Sequence, residues 1–99
     1  MIGFYTKFTT EKNKRGALTS ILSEAATGMR SIGECKLYIV SKDAVDDTAT
    51  WVTEIWTTKE AHLASFQTEG AKRLISKALP LLTDRPQQTT IIPVGGKGL

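Results

Sequence analysis

Hydrophobic positions along the chain change their period several times, and each change predicts a new element. From Ile2 to Thr9 the residues alternate. Ile2, Phe4, Thr6 and Phe8 point one way and Gly3, Tyr5 and Lys7 the other, which predicts a strand. Thr9, Thr10 and Asn13 each suit a helix cap, and the pattern does not choose among them. Leu18, Ile21, Leu22, Ala25, Ala26 and Met29 then recur at helical spacing, with Thr19, Ser23, Glu24 and Thr27 opposite. Gly28 and Gly33 bracket the end of that helix, and either suits a left-handed stop.

Cys35 to Ser41 predicts a second strand, in which Cys35 alternates with Leu37 and Ile39. The polar stretch from Lys42 to Asp47 predicts a hairpin tip carrying Asp43, Asp46 and Asp47. A calcium loop needs a glycine at its bend and a terminal Glu, and this stretch has neither. Thr48 to Thr57 predicts a third strand, with Trp51, Thr53 and Ile55 on one face and Val52, Glu54 and Trp56 on the other. Thr57 followed by Glu60 reads as a capping box, so a helix is predicted to open just after Trp56 and run through Leu63 and Phe66. Gly70 is predicted to interrupt it. A further helical stripe follows through Ala71, Leu74, Ile75, Ala78 and Leu79, and Pro80 ends it. After an Asp84-Arg85-Pro86 turn, Gln88 to Val94 predicts the last strand and Gly95-Gly96-Lys97-Gly98 a loose tail.

The order is β-α-β-β-α-β, with one apolar stripe per helix and a matching face per strand. The economical arrangement is an α+β, ferredoxin-like βαββαβ fold: a four-stranded antiparallel sheet with both helices on one face, in one domain over residues 1–99. The other sheet face is then an apolar patch of a size that monomers avoid, so sheet-to-sheet homodimerisation is predicted. A chain of this length buries only about two-thirds of its unfolded surface, which points the same way.

Composition adds exclusions. The chain is 40% apolar and 23% charged, with a net charge of +3 and a pI near 9.2. The basic residues are scattered, and the densest group, Lys12, Lys14 and Arg15, reads as a solvated helix start, so no nucleic-acid footprint is predicted. No stretch resembles a signal peptide or approaches membrane-spanning length, so a cytoplasmic protein with no membrane partner is expected. One His and one Cys do not make a zinc site. There is no Gly-x-Ser-x-Gly elbow and no glycine-rich phosphate loop opening a helix. Cys35 reads as a buried, inert thiol.

The candidate chemistry lies at the corner where the third strand meets its helix. Trp56 offers a wall for a flat ligand, although small cores also consume aromatics. His62, the only histidine, sits on the first turns of the helix, where the dipole favours a neutral imidazole able to accept a proton. Glu54 shares a face with Trp56 and, if buried there, must be paired or protonated. Tyr38 and Tyr5 carry hydroxyls that either meet a ligand or pack the sheet. Phe66 joins Glu54, Tyr38 and Trp56 as a candidate substrate contact.

Glu54-Ile55-Trp56, Lys59-Glu60-Ala61-His62 and Ala78-Leu79-Pro80-Leu81-Leu82 resemble the antibiotic biosynthesis monooxygenase family. The Cys35-x-Leu37-Tyr38-x-Val40 strand and the Gly95-Gly96-Lys97-Gly98 ending resemble its small quinol monooxygenase-like branch. The resemblance spans essentially the whole chain and rests on the order of these motifs together. It implies a dimeric α+β barrel with a cavity between each sheet and its helices. It also implies oxidation of phenols, quinols or polyketide-like aromatics by dioxygen with no cofactor, neither metal nor flavin; the substrate supplies the electrons. In that chemistry His62 would be the base and Trp56 would hold the aromatic plane. Two positions depart from relatives. Ser65 stands where many carry a second His, and strand one lacks the Asn of the haem-degrading branch, whose iron-ligating His falls at Phe66. Haem degradation is therefore not expected.

Two other functions fit parts of the pattern. One is a non-catalytic dimer that binds a small aromatic or serves a regulatory role. The other is an RNA-recognition domain, which shares the element order. Its third strand should carry a basic-Gly-aromatic signature, and Ala49 to Trp56 lacks it.

Overall fold

The computed structural model describes residues 1–98. Strand β1 (Ile2–Thr9) leads through a 3-10 turn at Lys12–Lys14 into helix α1 (Arg15–Met29). Strands β2 (Cys35–Lys42) and β3 (Ala49–Trp56) form a hairpin. Helix α2 (Lys59–Ser65), helix α3 (Glu69–Ala78) and a 3-10 turn at Leu79–Leu81 precede strand β4 (Gln87–Ile91). The sheet order is β2-β3-β1-β4 and every pairing is antiparallel, the ferredoxin-like arrangement. No helix among the described residues is long and apolar enough to cross a membrane.

The alternation assigns the faces as anticipated. Phe4 and Thr6 on β1, with Val52, Glu54 and Trp56 on β3, are buried on the helix-covered side. Leu18 and Leu22 of α1 pack on Val52 there, with Phe8, Tyr38, Val40, Ala78, Leu81 and Leu82 around them. The β2–β3 hairpin tip is tied by Asp43, which accepts the Val45 and Asp46 amides at 3.0 and 2.9 Å and the Trp51 indole N–H at 2.9 Å. These donors hold the Asp43 carboxyl down to about 2. Arg15 donates to the Asp43 and Asp46 carbonyls and so fixes the hairpin to the start of α1.

Several boundaries differ from the pattern-based expectation, each for a local reason. The Thr57 amide still donates to the Glu34 carbonyl at 2.9 Å, so the chain remains extended there. The helix cap is therefore Thr58, whose side chain accepts the Ala61 amide at 3.1 Å. Gly70 does not break the helix. The break falls at Phe66–Thr68, because Thr68 caps α3 by accepting the Ala71 amide, and Gly70 lies in the first turn of α3. Neither Gly28 nor Gly33 adopts the left-handed conformation. None of Thr9, Thr10 and Asn13 caps α1; Thr10 donates to the Glu11 carbonyl instead. A bulge between Cys35 and Leu37 pairs Cys35 with Trp56 and Leu37 with Ile55, so Cys35 leaves the face of Leu37 and Ile39. Strand β4 ends at Ile91, opposite Gly3, because β1 has almost no residue left to pair beyond it. Ile92 and Val94 are exposed beyond the strand.

Candidate functional site

Helices α1 and α3 do not close completely on the sheet. Between them lies a cavity of about 450 Å³, bounded by β1, β2, β3 and β4 below and by α1, the α2–α3 corner and α3 above. This is within the size range of small-molecule sites. Its wall is mainly aliphatic and aromatic, with Ile21, Leu22, Met29, Leu74 and Ile75 from the helices and Phe8 and Val52 from the sheet. The polar groups on the wall are few: Glu54, Tyr38, Ser65, and the pair Thr6 and Gln88, in which the Gln88 amide donates to the Thr6 hydroxyl at 3.0 Å.

Among the described residues Glu54 is the only carboxylate on the wall. It is 8% exposed, because β3 points it under the helices at the second position before Trp56. Its Oε1 accepts the Trp56 indole N–H at 3.1 Å. Burial raises its pKa above the ordinary 4.5, and the indole donor opposes that rise. Burial also pushes the Tyr38 phenol well above its ordinary value, with the Glu54 charge adding to the effect, so Tyr38 keeps its proton and remains a donor. Tyr38 and Glu54 are direct partners across β2 and β3.

His62 stands behind this wall rather than on it. It is 4% exposed. Phe4 stacks on its ring at a centroid distance of 4.0 Å, and Trp56 and Phe66 meet it edge-on at 5.5 and 4.9 Å. Its Nε2 lies 3.6 Å from Glu54 Oε1, beyond hydrogen-bond distance, and has no hydrogen-bond partner among the described residues. Burial lowers its pKa below 6.5, which favours the neutral ring.

Of the residues singled out in the sequence, Glu54, Tyr38 and Phe66 line the cavity. Trp56 and His62 do not. Trp56 is fully buried, and its indole holds the Glu54 carboxylate instead of presenting a face to the cavity. Phe66 belongs to both groups, with its ring on the cavity wall and its edge against the imidazole. Tyr5 lies on the opposite face of the sheet, edge-on to Trp51 at 5.6 Å. Sequence reasoning missed Phe4 and the Thr6–Gln88 pair. Phe4 reaches His62 because it pairs with Glu54 across β1 and β3, a register with no local signal. Ser65 is buried on the wall, and its hydroxyl donates to the His62 carbonyl at 2.6 Å, steadying the end of α2.

Among the described residues no three His, Cys, Asp or Glu side chains cluster in a way that would hold a metal ion.

The family model described as antibiotic biosynthesis monooxygenase matches residues 1–77. A crystal structure from Chloroflexus aurantiacus J-10-fl, itself provisionally assigned as an antibiotic biosynthesis monooxygenase, is 34% identical. It aligns over 98% of this chain and 96% of its own length with a TM-score of 0.83. Similarly assigned structures share the fold at lower identity. One from Deinococcus radiodurans is 21% identical over 100% of this chain and 98% of its own, with a TM-score of 0.84. One from Caulobacter crescentus is 15% identical over 95% and 90%, with a TM-score of 0.87. No curated protein matches the chain.

Proposed function

The chain belongs to the antibiotic biosynthesis monooxygenase family, and from that premise we propose that it oxidises a hydroxylated aromatic with dioxygen, the substrate itself supplying the electrons. The observation that carries this reading is a buried carboxylate, Glu54, set in the wall of a largely apolar cavity with a buried imidazole behind it. A flat apolar molecule gains by leaving water for such a cavity. Its hydroxyl then has one place to lose a proton. Deprotonation raises the electron density of the ring and makes it a reductant. For a quinol, two electrons and two protons pass to dioxygen, giving a quinone and hydrogen peroxide. For a phenolic ring with an activated CH2, one oxygen atom enters the product and the other leaves as water with the two displaced hydrogens.

The open face of the sheet supports an assembly. Tyr5 and Ile39 are 46% and 48% exposed there, beside Trp51 and Ile55. A second copy pressed sheet to sheet would cover that patch. A dimer built this way leaves the cavity, on the other side of each sheet, free for substrate.

A second reading is a dimer that binds a small aromatic without transforming it. The retreat of His62 from the cavity wall favours it. Oxygen uptake by the purified protein with a panel of naphthols, anthrones and quinols separates the two. Consumption above the buffer rate on at least one compound supports the oxidase reading. Binding of the same compounds with no consumption supports the second.

A further inference from the structure

We propose that Glu54 takes the substrate proton directly, that Tyr38 stabilises the oxyanion left behind, and that His62 acts through Glu54 as a positioning and relay residue. This assignment rests on the reading of the cavity as a phenol site and divides the labour within it.

Three placements carry it. First, Glu54 and Tyr38 reach the cavity wall and His62 does not. A base must lie within hydrogen-bond reach of the proton it removes, directly or through one water, and the carboxylate meets that condition at the wall. Second, the two Glu54 oxygens have different surroundings. Oε1 accepts the Trp56 indole and faces His62 Nε2. No donor among the described residues is bonded to Oε2, which leaves it for a ligand hydroxyl. Third, His62 Nε2 is buried and unpartnered while aimed at Oε1. An unsatisfied buried polar atom costs stability and calls for an explanation. A proton taken up by Glu54 and turned toward His62 by rotation of the carboxyl gives that nitrogen its partner.

The step balances within the site. The substrate O–H bond breaks and an O–H bond forms on Glu54, while the electron pair stays on the substrate oxygen. Rotation of the protonated carboxyl exchanges its two oxygens and turns the new O–H toward His62, and the proton then crosses the closed 3.6 Å gap to Nε2, which carries the charge as imidazolium. The carboxylate is then ionised again. Tyr38, the cross-strand partner of Glu54, holds its own proton firmly and donates a hydrogen bond to the new phenolate. Phe4, Trp56 and Phe66 surround the imidazole and keep it from turning toward bulk water. Among the described residues Glu54 is the one acidic side chain within 4.0 Å of the imidazole, and the rings packed on it are those of Phe4, Trp56 and Phe66.

The test uses a chromophoric phenol, 4-nitro-1-naphthol, whose colour reports its own ionisation and needs no oxygen chemistry. The wild type should bind it and display the phenolate band at pH values where the free dye is still protonated. Glu54→Gln should bind the dye as the neutral phenol. Tyr38→Phe should bind it with the ionisation midpoint displaced upward. His62→Gln should bind the neutral dye at low pH as tightly as the wild type but with a displaced ionisation midpoint, a change that a purely structural role would not produce. On an oxidised substrate, Glu54→Gln should lose more than about 100-fold in kcat, the lower end of what a positioned base supplies. Glu54→Asp, which keeps a carboxylate, should recover part of that loss. A phenolate band in Glu54→Gln with the wild-type midpoint overturns the proposal while leaving the phenol site standing. Failure of the wild type to bind the dye removes the phenol site itself and the proposal with it.

Discussion

Oε1 of Glu54 stands between two buried nitrogens, accepting the Trp56 indole N–H at 3.1 Å and facing His62 Nε2 at 3.6 Å. Burial acts on the two titratable partners in opposite senses, raising the carboxyl and lowering the imidazole. The difference between an ordinary Glu and an ordinary His is thereby narrowed. A proton passed between them meets a smaller free-energy step than it would in water.

This opposition has a consequence for stability against pH. Glu54 binds its proton more tightly folded than unfolded, so its contribution is full below 4.5 and is lost as pH rises through the raised folded value. His62 binds its proton less tightly folded, so its contribution is full above 6.5 and is lost as pH falls through the lowered value. Glu54→Gln removes only the first of these. Its stability relative to wild type should therefore grow as pH rises from about 4 to about 8. Urea unfolding across that range checks the sign, and a difference independent of pH would contradict it.

Trp56 is predicted to act on the carboxylate. Trp56→Phe removes the indole donor that opposes the rise in the Glu54 pKa, so Glu54 should titrate at still higher pH. The lost buried bond and volume should cost about 1–3 kcal/mol of stability. The carboxyl resonance of Glu54, followed by NMR in folded protein, reports the first effect. An unchanged midpoint would mean that the indole does not hold the carboxylate.

The cap of α3 should matter to the cavity as well as to the helix. Thr68→Ala removes the side chain that accepts the Ala71 amide, at a cost of about 1 kcal/mol. Leu74 and Ile75 of that helix line the cavity, so amide exchange in the first turns of α3 should speed up and aromatic binding should weaken. Exchange rates equal to wild type would show that tertiary packing alone sets the helix start.

The element order was legible because the hydrophobic period switches cleanly, and the face shared by Val52, Glu54 and Trp56 followed from alternation alone. Features that depend on pairing between distant strands were not legible. Cys35 changes face through a bulge that its alternating neighbours do not announce. The Thr57–Glu60 spacing favours Thr57 as the cap, but the Glu34 carbonyl claims the Thr57 amide and the cap falls on Thr58. The sequence brought His62 near Trp56, but the direction of the ring is set by Phe4, which arrives from β1 through the β1–β3 register. Local spacing therefore located the corner and left open which of its groups meets the cavity.

The outer face of the sheet should be an interface. Light scattering at micromolar concentration is predicted to give twice the 10.8 kDa chain mass. Ile39→Lys places a charge in the middle of that face, beside Thr53, and should shift the protein toward monomer. A monomeric mass for the wild type would contradict the sheet-to-sheet assembly.

The central claim is that dioxygen-dependent oxidation of a hydroxylated aromatic takes place in the cavity beside Glu54. The most direct measurement is oxygen consumption on the best compound of the panel by the wild type and by Ala25→Trp, which fills the cavity from its α1 wall and leaves Glu54, Tyr38 and His62 unsubstituted. Consumption by the wild type that falls to the buffer rate in Ala25→Trp, with the variant folded, is the predicted result. Equal consumption by the two proteins, or binding of the aromatics by the wild type with no consumption at all, would contradict it.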